Sequence, residues 1–167
     1  MAAVGEVDLD GFLRLYDQAV GPVYGYLVRG CGGRRALAED LTQETFLAAI
    51  AAARRGRDDQ LTLPWLMVVA RNKLVDHYRR SGREARSQSA AATARAGPRA
   101  DETTGGASAL LAGLPPAQRV ALFLRYVDDL PVAEVARTLG RSVHATESLL
   151  ARGRAALRRS DRGSEHD

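Results

Sequence analysis

Two short polar runs could carry chemistry in this 167-residue chain. The first brings Asp40, Gln43 and Glu44 onto one face of a helix-forming stretch, where they would offer carboxylates and an amide. The second follows an apolar helix and combines cations, an amide and rings; it contains Arg71, Asn72, Lys73, His77, Tyr78, Arg79 and Arg80. Phosphates need cations, and an unstacked base needs a flat partner and a hydrogen-bonding amide. We therefore predict a protein-binding face and a nucleic-acid-binding helix end.

Both runs have simpler explanations that the sequence leaves open. The acidic face could be solubilising charge or a catalytic carboxylate pair, and the basic run could be an ordinary helix C terminus stabilised by its dipole. Catalysis has little support, because no glycine-rich phosphate loop occurs and the histidines His77, His144 and His166 are scattered. Cys31 is the only cysteine. We expect no catalytic residue, no metal site and no cofactor, so the chain is predicted not to be an enzyme.

Positive charge is concentrated in two parts of the chain. Residues 61–100 hold eight Arg or Lys against two Asp or Glu, and residues 141–167 hold six against four, whereas residues 1–60 have an acidic excess. This distribution predicts two separate anion-binding surfaces. The N terminus has no apolar signal region, and no window approaches about 18 apolar residues. We therefore expect a cytoplasmic protein with no membrane insertion.

Hydrophobic periodicity predicts three helices in the first half of the chain. They cover about 9–27, with Asp8 or Asp10 as its cap, about 35–54, and a third stretch that Thr62 begins. The run Trp65–Ala70 is apolar on nearly every side, which predicts a helix buried between others. These three helices would form a first domain, residues 1–80.

The second half begins after a stretch that cannot build a core. Residues 81–108 contain no Val, Ile, Leu, Met, Phe, Tyr or Trp, so they are predicted to be a flexible linker. A second helical domain is expected over 109–160, followed by a polar, disordered tail over 161–167. The predicted fold class is therefore all-α, with two small helical domains joined by the linker.

The last two helices have the spacing of a helix-turn-helix. Ala136 is followed four residues later by the turn residue Gly140, and Ser142 is placed to cap a helix over about 143–159. Outward positions of that helix and its edges hold Arg141, His144, Glu147, Ser148, Ala151, Arg152 and Arg154. Outward residues near the N terminus can meet base edges while flanking arginines meet phosphates, as a major-groove reader requires. A solvated amphipathic helix is the alternative.

These residues together resemble a known family. Ala38–Phe46, then Trp65-Leu66 and the run from Ala70 to Arg80, resemble conserved region 2 of the extracytoplasmic-function (ECF) group of bacterial sigma-70-type sigma factors. Leu114–Leu157 is similar to region 4 of the same group. Both motifs occur in family order, with a low-complexity spacer between them.

The resemblance implies a role for each run. It implies that Asp40, Gln43, Glu44 and Phe46 bind the β′ subunit of core RNA polymerase. It also implies that the basic run of the third helix, Arg71, Asn72, Lys73, His77, Tyr78, Arg79 and Arg80, recognises and opens the minus-ten promoter element, with Asn72 at a pocket for an extruded base. The second domain would contact the β subunit and read the minus-thirty-five element. An anti-sigma factor is a further implied partner.

The recognition helix departs from the family pattern. Where the family usually has Gly-Thr-Val-Lys-Ser-Arg, this chain has the run His144–Leu149, so that Glu147 and Leu149 replace two cations. Glu147 could accept a hydrogen bond from a cytosine amino group. We expect an unusual minus-thirty-five sequence or a greater dependence on the first domain. The rival hypothesis is a stand-alone helix-turn-helix regulator, which leaves the Gln43 face and the Asn72 helix unexplained.

Overall fold

The computed structural model of the chain describes residues 8–88 and 107–164. Within these ranges the regular elements are seven α-helices and a short 3-10 turn, Asp58–Gln60. The helices are α1 Leu9–Gly30, α2 Arg35–Ala53, α3 Leu63–Gln88, α4 Ala107–Ala112, α5 Pro116–Tyr126, α6 Val132–Leu139 and α7 Val143–Ser164. The all-α prediction is confirmed.

The described residues divide into two compact units. The first draws them from Met1–Cys31 and Arg35–Leu74, and the second from Gly32–Arg34 and Val75–Asp167. Each unit thus contains part of α3, since the division falls between Leu74 and Val75 within that helix. The C-terminal part of α3 is therefore described below with the second unit.

Side-chain caps begin the first and third helices. The Gly11 backbone N–H donates to the Asp8 carboxylate at 3.1 Å, so Asp8 rather than Asp10 caps α1. The Trp65 N–H donates to the Thr62 hydroxyl at 3.4 Å, as predicted for the start of α3. Such bonds satisfy N–H groups that have no partner within the helix.

The core of the first unit is built from one face of each of its helices. α1 packs against α2, and the rings of Tyr16 and Phe46 meet edge to face with centroids 4.8 Å apart. The buried Thr45 hydroxyl donates to the Leu41 carbonyl at 2.8 Å, so this polar group is satisfied inside its own helix. Other buried members are Ala19, Val23, Leu27, Ala38, Ala49, Leu66, Ala70 and Leu74.

The third helix is less buried than its composition predicted. Leu66, Ala70 and Leu74 form one buried face, whereas Val68 on the opposite side is 49% exposed. The prediction that the run Trp65–Ala70 forms a helix buried between others was therefore wrong for the side that carries Val68. An apolar run indicates which side chains can be buried, but the number of neighbouring helices decides how many of them are.

Two expected irregular stretches are partly helical. α3 continues to Gln88 although a linker was predicted from Ser81, and α7 continues to Ser164 although a disordered tail was predicted from 161. Both extensions continue a helix that has already formed, and lengthening an existing helix is easier than nucleating one. Residues 89–106 of the predicted linker and 165–167 of the tail lie outside the described residues.

Helix α5 is the central element of the second unit. It packs against α6 and α7, and the five consecutive residues Val120–Leu124 are all buried. Gly153 of α7 permits this close packing, because a Cβ there would lie 2.8 Å from the Leu122 Cδ1 atom. The last helix is thus held directly against the centre of the unit.

A buried arginine connects α5 to the end of α4. The Arg119 side chain donates from Nε to the Leu111 carbonyl at 2.9 Å and from Nη2 to the carbonyls of Ala112 and Leu114, both at 3.0 Å. Carbonyl groups at a helix C terminus lack partners within the helix. The Arg119 guanidinium supplies hydrogen-bond donors to these carbonyls, and the hydrogen bonds offset the cost of burying its charge.

Candidate nucleic-acid interface

The predicted protein-binding face of α2 is open to solvent. Asp40 and Gln43 are exposed, and one turn further Leu47 is 63% exposed. Glu44 is half-buried, and its Oε2 atom lies 3.6 Å from the Lys73 ammonium of α3. The face therefore offers a carboxylate, an amide and an apolar side chain, and its second carboxylate is paired within the unit.

Phe46 is placed differently from the other residues predicted for this face. Its side chain is 6% exposed and packs against the Tyr16 ring. Phe46 lies three residues after Gln43, but the turn of the helix directs it into the core. In this conformation Phe46 supports the exposed face from beneath rather than forming part of it.

The predicted nucleic-acid-binding residues of α3 fall into three environments. Asn72, Arg79 and Arg80 are exposed, and a second group, Arg71, Lys73 and His77, is half-buried. Tyr78 is buried, at 5% exposure. This basic end of α3 therefore presents an amide and two guanidinium groups directly to solvent, while Lys73 is engaged by Glu44.

Tyr78 contacts the buried arginine of the second unit. Its hydroxyl accepts a hydrogen bond from Arg119 Nη1 at 3.3 Å, and the guanidinium carbon lies 5.9 Å from the ring centroid. A cation facing an aromatic ring at this distance is attracted to it. Tyr78 was predicted to contact an unstacked base; in this conformation its ring packs against Arg119.

A basic cleft lies within the second unit between the end of α3 and the turn after α6. Its volume is about 520 Å3, and the residues that line it include Arg79, Arg83 and Arg141 together with Val120 and Leu139. The structure thus brings together Arg79 and Arg141, which the sequence assigned to two different promoter elements. The cleft concentrates positive charge on this side of the unit.

The turn of the helix-turn-helix has the predicted chemistry. Gly140 adopts the left-handed conformation with φ 64°, which a residue with a Cβ rarely adopts. Ser142 then caps α7, because the Ala145 N–H donates to its hydroxyl at 3.1 Å. The buried Thr146 hydroxyl donates to the Ser142 carbonyl at 2.9 Å. These local bonds fix the direction in which α7 leaves the turn.

The outward face of α7 holds the predicted duplex-binding residues. Six of them are exposed and Ser148 is half-buried; the exposed ones are Arg141, His144, Glu147, Ala151, Arg152 and Arg154. On the opposite side Leu149 and Leu150 are buried. Helix α7 therefore has an exposed, mostly polar face on one side and a buried apolar stripe on the other.

Both halves of the chain match known protein families. Residues 12–84 match the family model described as Sigma-70 region 2, and residues 107–157 match the one described as Sigma-70, region 4. The ECF RNA polymerase sigma factor SigC of Mycobacterium tuberculosis is 36% identical over 126 residues, which cover 72% of this chain and 68% of SigC. The chain belongs to the ECF sigma factors.

Two further relatives extend the comparison. The ECF RNA polymerase sigma factor BldN of Streptomyces coelicolor is 35% identical over an alignment covering 95% of this chain, and the chain spans 62% of the length of BldN. The sigma factor RpoE of Bartonella quintana, solved in complex with the anti-sigma factor NepR, has a TM-score of 0.51 at 19% identity and covers 90% of this chain and 96% of RpoE. The likeness to RpoE shows a common fold.

This ECF sigma factor lacks a family cation at two positions of α7, 147 and 149, and one of the two is exposed. Leu149 is 5% exposed and faces the core of the second unit, whereas Glu147 lies on the outward face. Glu147 alone introduces a negative charge there.

Contacts near α7 involve residues that the sequence did not single out. The Tyr126 hydroxyl accepts a hydrogen bond from Arg154 Nη1 at 3.1 Å, and Arg125 lies over the Tyr126 ring at 5.5 Å. Tyr126 ends α5 and is separated from Arg154 by 28 positions, so no local pattern connects them. The one signal in the sequence for this contact was a tyrosine at the end of a predicted helix.

The described part of this sigma factor has neither a membrane-spanning helix nor a cluster of metal-binding side chains. Within residues 8–88 and 107–164, none of the helices combines the length and the apolar character that a bilayer crossing requires. No group of three or more His, Cys, Asp or Glu in those ranges is arranged to hold a metal ion.

Proposed function

We propose that this chain directs promoter-specific transcription initiation by binding core RNA polymerase and recognising the minus-ten and minus-thirty-five elements of promoter DNA. The observation that carries the proposal is the pairing of region 2 and region 4 matches in family order, each with an exposed polar face. The proposed assignment places region 2 in residues 1–80 and region 4 in residues 109–160.

The polymerase-binding role belongs to the α2 face. Asp40 and Gln43 are exposed for contact with the β′ subunit, and the exposed Leu47 supplies apolar contact area beside them. Glu44 would join this contact once it separates from Lys73. Protein interfaces commonly surround an apolar contact with polar groups that hydrogen-bond to the partner. The buried Phe46 would hold the helix in position for this contact.

Recognition and opening of the minus-ten element belongs to the basic end of α3. Asn72 would hydrogen-bond an extruded base, and the exposed arginines Arg79 and Arg80 would bind neighbouring phosphates. Extruding a base costs a few kcal/mol, which such contacts would offset. Lys73 would join them once it separates from Glu44.

The minus-thirty-five element would be read by α7. His144 and Glu147 lie near the helix N terminus, where HTH recognition helices contact base edges, while Arg141 and Arg152 lie at the edges of the face for phosphate contacts. The same domain would contact the β subunit. Because Glu147 places a carboxylate among these groups, we expect a cytosine at the position it faces.

The proposed role needs no active site in the chain itself, because polymerase supplies the chemistry. The protein would act in the cytoplasm, where polymerase and promoter DNA are found. An anti-sigma factor is a proposed partner, and the Bartonella RpoE structure, solved with the anti-sigma factor NepR, supports this expectation. A regulator that works without polymerase is less favoured, since it would leave the region 2 match without a role.

The proposal is tested by transcription from genomic DNA of the encoding bacterium with purified core polymerase. Addition of the chain should produce transcripts whose mapped 5′ ends share two upstream sequence elements, and core polymerase alone should not. Asp40→Arg should abolish these transcripts, because it puts a positive charge where the polymerase contact needs a negative one, and Gln43→Ala should reduce them by removing one polymerase contact.

Matched controls separate a lost contact from a general change of charge. Asp59→Arg makes the same charge change as Asp40→Arg at an exposed position of the 3-10 turn, and Gln18→Ala removes an exposed amide from α1. Both control variants should transcribe normally. Normal transcription by Asp40→Arg, or tight duplex binding that is indifferent to polymerase, would favour the stand-alone regulator instead.

A further inference from the structure

Tyr126 at the end of α5 holds an arginine on the proposed reading helix. Its side chain is 57% exposed, and its hydroxyl accepts a hydrogen bond from Arg154 Nη1 at 3.1 Å. The Arg125 guanidinium lies over the same ring, 5.5 Å from its centroid. One exposed phenol therefore joins two cations at the surface of the second unit.

Arg154 lies on the same outward face of α7 as Glu147 and Ala151. Positions 147, 151 and 154 are spaced four and three residues apart, which is one stripe of a helix. Arg154 is seven residues beyond Glu147, or about 10 Å along the helix axis. A recognition helix meets base edges near its N terminus, so a cation this far along the face is placed for the phosphate backbone beside the groove.

The phenol leaves the charge of Arg154 available for that contact. Arg125 and Arg137 are each close to a carboxylate, 3.6 Å from Asp129 and 3.2 Å from Glu134 respectively, and a carboxylate offsets their positive charge. The neutral Tyr126 hydroxyl does not offset the positive charge of Arg154 in this way. The guanidinium has five N–H donors, so one bond to Tyr126 leaves others for a phosphate.

Holding the side chain also lowers the entropy lost on binding. A free, exposed arginine samples many rotamers, and ordering a side chain of this kind at an interface opposes association. A hydrogen bond that already restricts Arg154 in the free protein reduces that loss. Tyr126 would thus favour DNA binding by positioning Arg154, without itself contacting the DNA.

We propose that Tyr126 is a positioning residue that orients Arg154 toward a backbone phosphate of duplex DNA bound by α7. The inference rests on the proposed function only in that α7 binds duplex DNA. It assigns Arg154 to phosphate contact rather than to base reading, so its effect is independent of DNA sequence.

The test measures binding of the full-length chain to a labelled, mixed-sequence 30-base-pair duplex at several salt concentrations, without polymerase. Arg154→Ala should lower the slope of log affinity against log salt by about 0.9, the value for one phosphate contact. Tyr126→Phe should weaken binding about threefold at fixed salt, as expected for loss of one hydrogen bond. In the Arg154→Ala background, Tyr126→Phe should change nothing further.

Three results would overturn the proposal. Equal weakening by Tyr126→Phe in both backgrounds would mean that the hydroxyl acts on DNA or on the fold independently of Arg154. An unchanged affinity for Tyr126→Phe alone would mean that the bond is unimportant for binding. An unchanged salt slope for Arg154→Ala would mean that Arg154 meets no phosphate.

A matched control and a second measurement exclude trivial explanations. Tyr24→Phe removes a tyrosine hydroxyl from α1 and should leave affinity and salt slope unchanged. Thermal unfolding of Tyr126→Phe should match that of the unaltered chain. Because this assay contains no polymerase, failure of the proposed function in transcription and failure of the Tyr126 inference give separate results.

Discussion

The proposed recognition helix α7 and the region 2 motif differ in how their predicted binding residues are divided between surface and core. On α7, six of the seven predicted residues are exposed and Ser148 is half-buried. In the region 2 motif, Phe46 and Tyr78 are buried, and Glu44 is paired with Lys73. A recognition helix with one apolar stripe separates reading residues from packing residues cleanly, whereas the region 2 motif mixes the two.

The mixture has a physical cause. An aromatic side chain can stack on a base or fill a core, and the residue type alone does not distinguish these uses. The Phe46 ring packs against Tyr16 and the Tyr78 ring packs against Arg119, so both rings have partners within the protein. We therefore expect substitutions of the buried region 2 residues to lower stability, and substitutions on the exposed face of α7 to weaken binding.

The largest expected effect is that of Phe46→Ala. Removing a buried ring should lower the free energy of unfolding by about 3–5 kcal/mol. Leu47→Ala at the neighbouring exposed position should change it by less than about 0.5 kcal/mol. Chemical denaturation of both variants checks this difference. A stable Phe46→Ala variant that has lost only polymerase binding would show instead that Phe46 is part of the interface.

Arg119→Met should have the next largest effect. It removes the Arg119 hydrogen bonds to the carbonyls of Leu111, Ala112 and Leu114, of which the Leu111 carbonyl keeps the Leu114 backbone N–H as a donor. Hydrogen bonds to a charged group contribute about 1.5–3 kcal/mol each. Because methionine recovers part of the packing, we expect a net loss of about 3 kcal/mol in unfolding free energy. Arg162→Met at an exposed position is the control. Equal stability of both variants would contradict the role given to Arg119.

Ser142→Ala should have a moderate effect on the second unit. It removes the cap bond to the Ala145 N–H and should lower stability by about 1 kcal/mol. Ser142→Asp keeps a side-chain acceptor and should retain most of that stability. Thermal unfolding compares the two variants. If Asp fails to recover what Ala loses, the hydroxyl acts through something other than capping.

The smallest expected effect is the coupling between Glu44 and Lys73. Both side chains are partly exposed, at 44% and 34%, and the charged atoms are 3.6 Å apart. Exposed pairs of this kind contribute about 0.2–1 kcal/mol. A double-mutant cycle of Glu44→Gln and Lys73→Gln should give a coupling in that range that decreases with added salt. A coupling that is absent at low salt would contradict the pairing.

The sequence predicted those features that depend on local chemistry. The end of α6 and the cap of α7 followed from Gly140 and Ser142, because a left-handed turn and a hydroxyl cap are decided within a few residues. The outward face of α7 followed from helical spacing alone. Six of the seven residues predicted for this face are therefore exposed, as the spacing indicated.

Long-range contacts were the part that could not be predicted. The Arg119 side chain reaches Tyr78 across 41 positions of sequence, and an arginine is ordinarily a surface residue. Arg154 and Tyr126 are separated by 28 positions. The length of α3 was missed for a different reason, since residues without an apolar face can still extend a helix that has already formed.

The central claim is that polymerase binding and duplex binding reside on different surfaces, and one paired measurement tests it most directly. Affinities for core polymerase and for a mixed-sequence duplex are measured for Gln43→Ala and Arg152→Ala. Gln43→Ala should weaken polymerase binding about fivefold or more and leave duplex binding unchanged. Arg152→Ala should do the reverse and lower the salt slope by about 0.9. Variants that weaken both affinities equally would contradict the account.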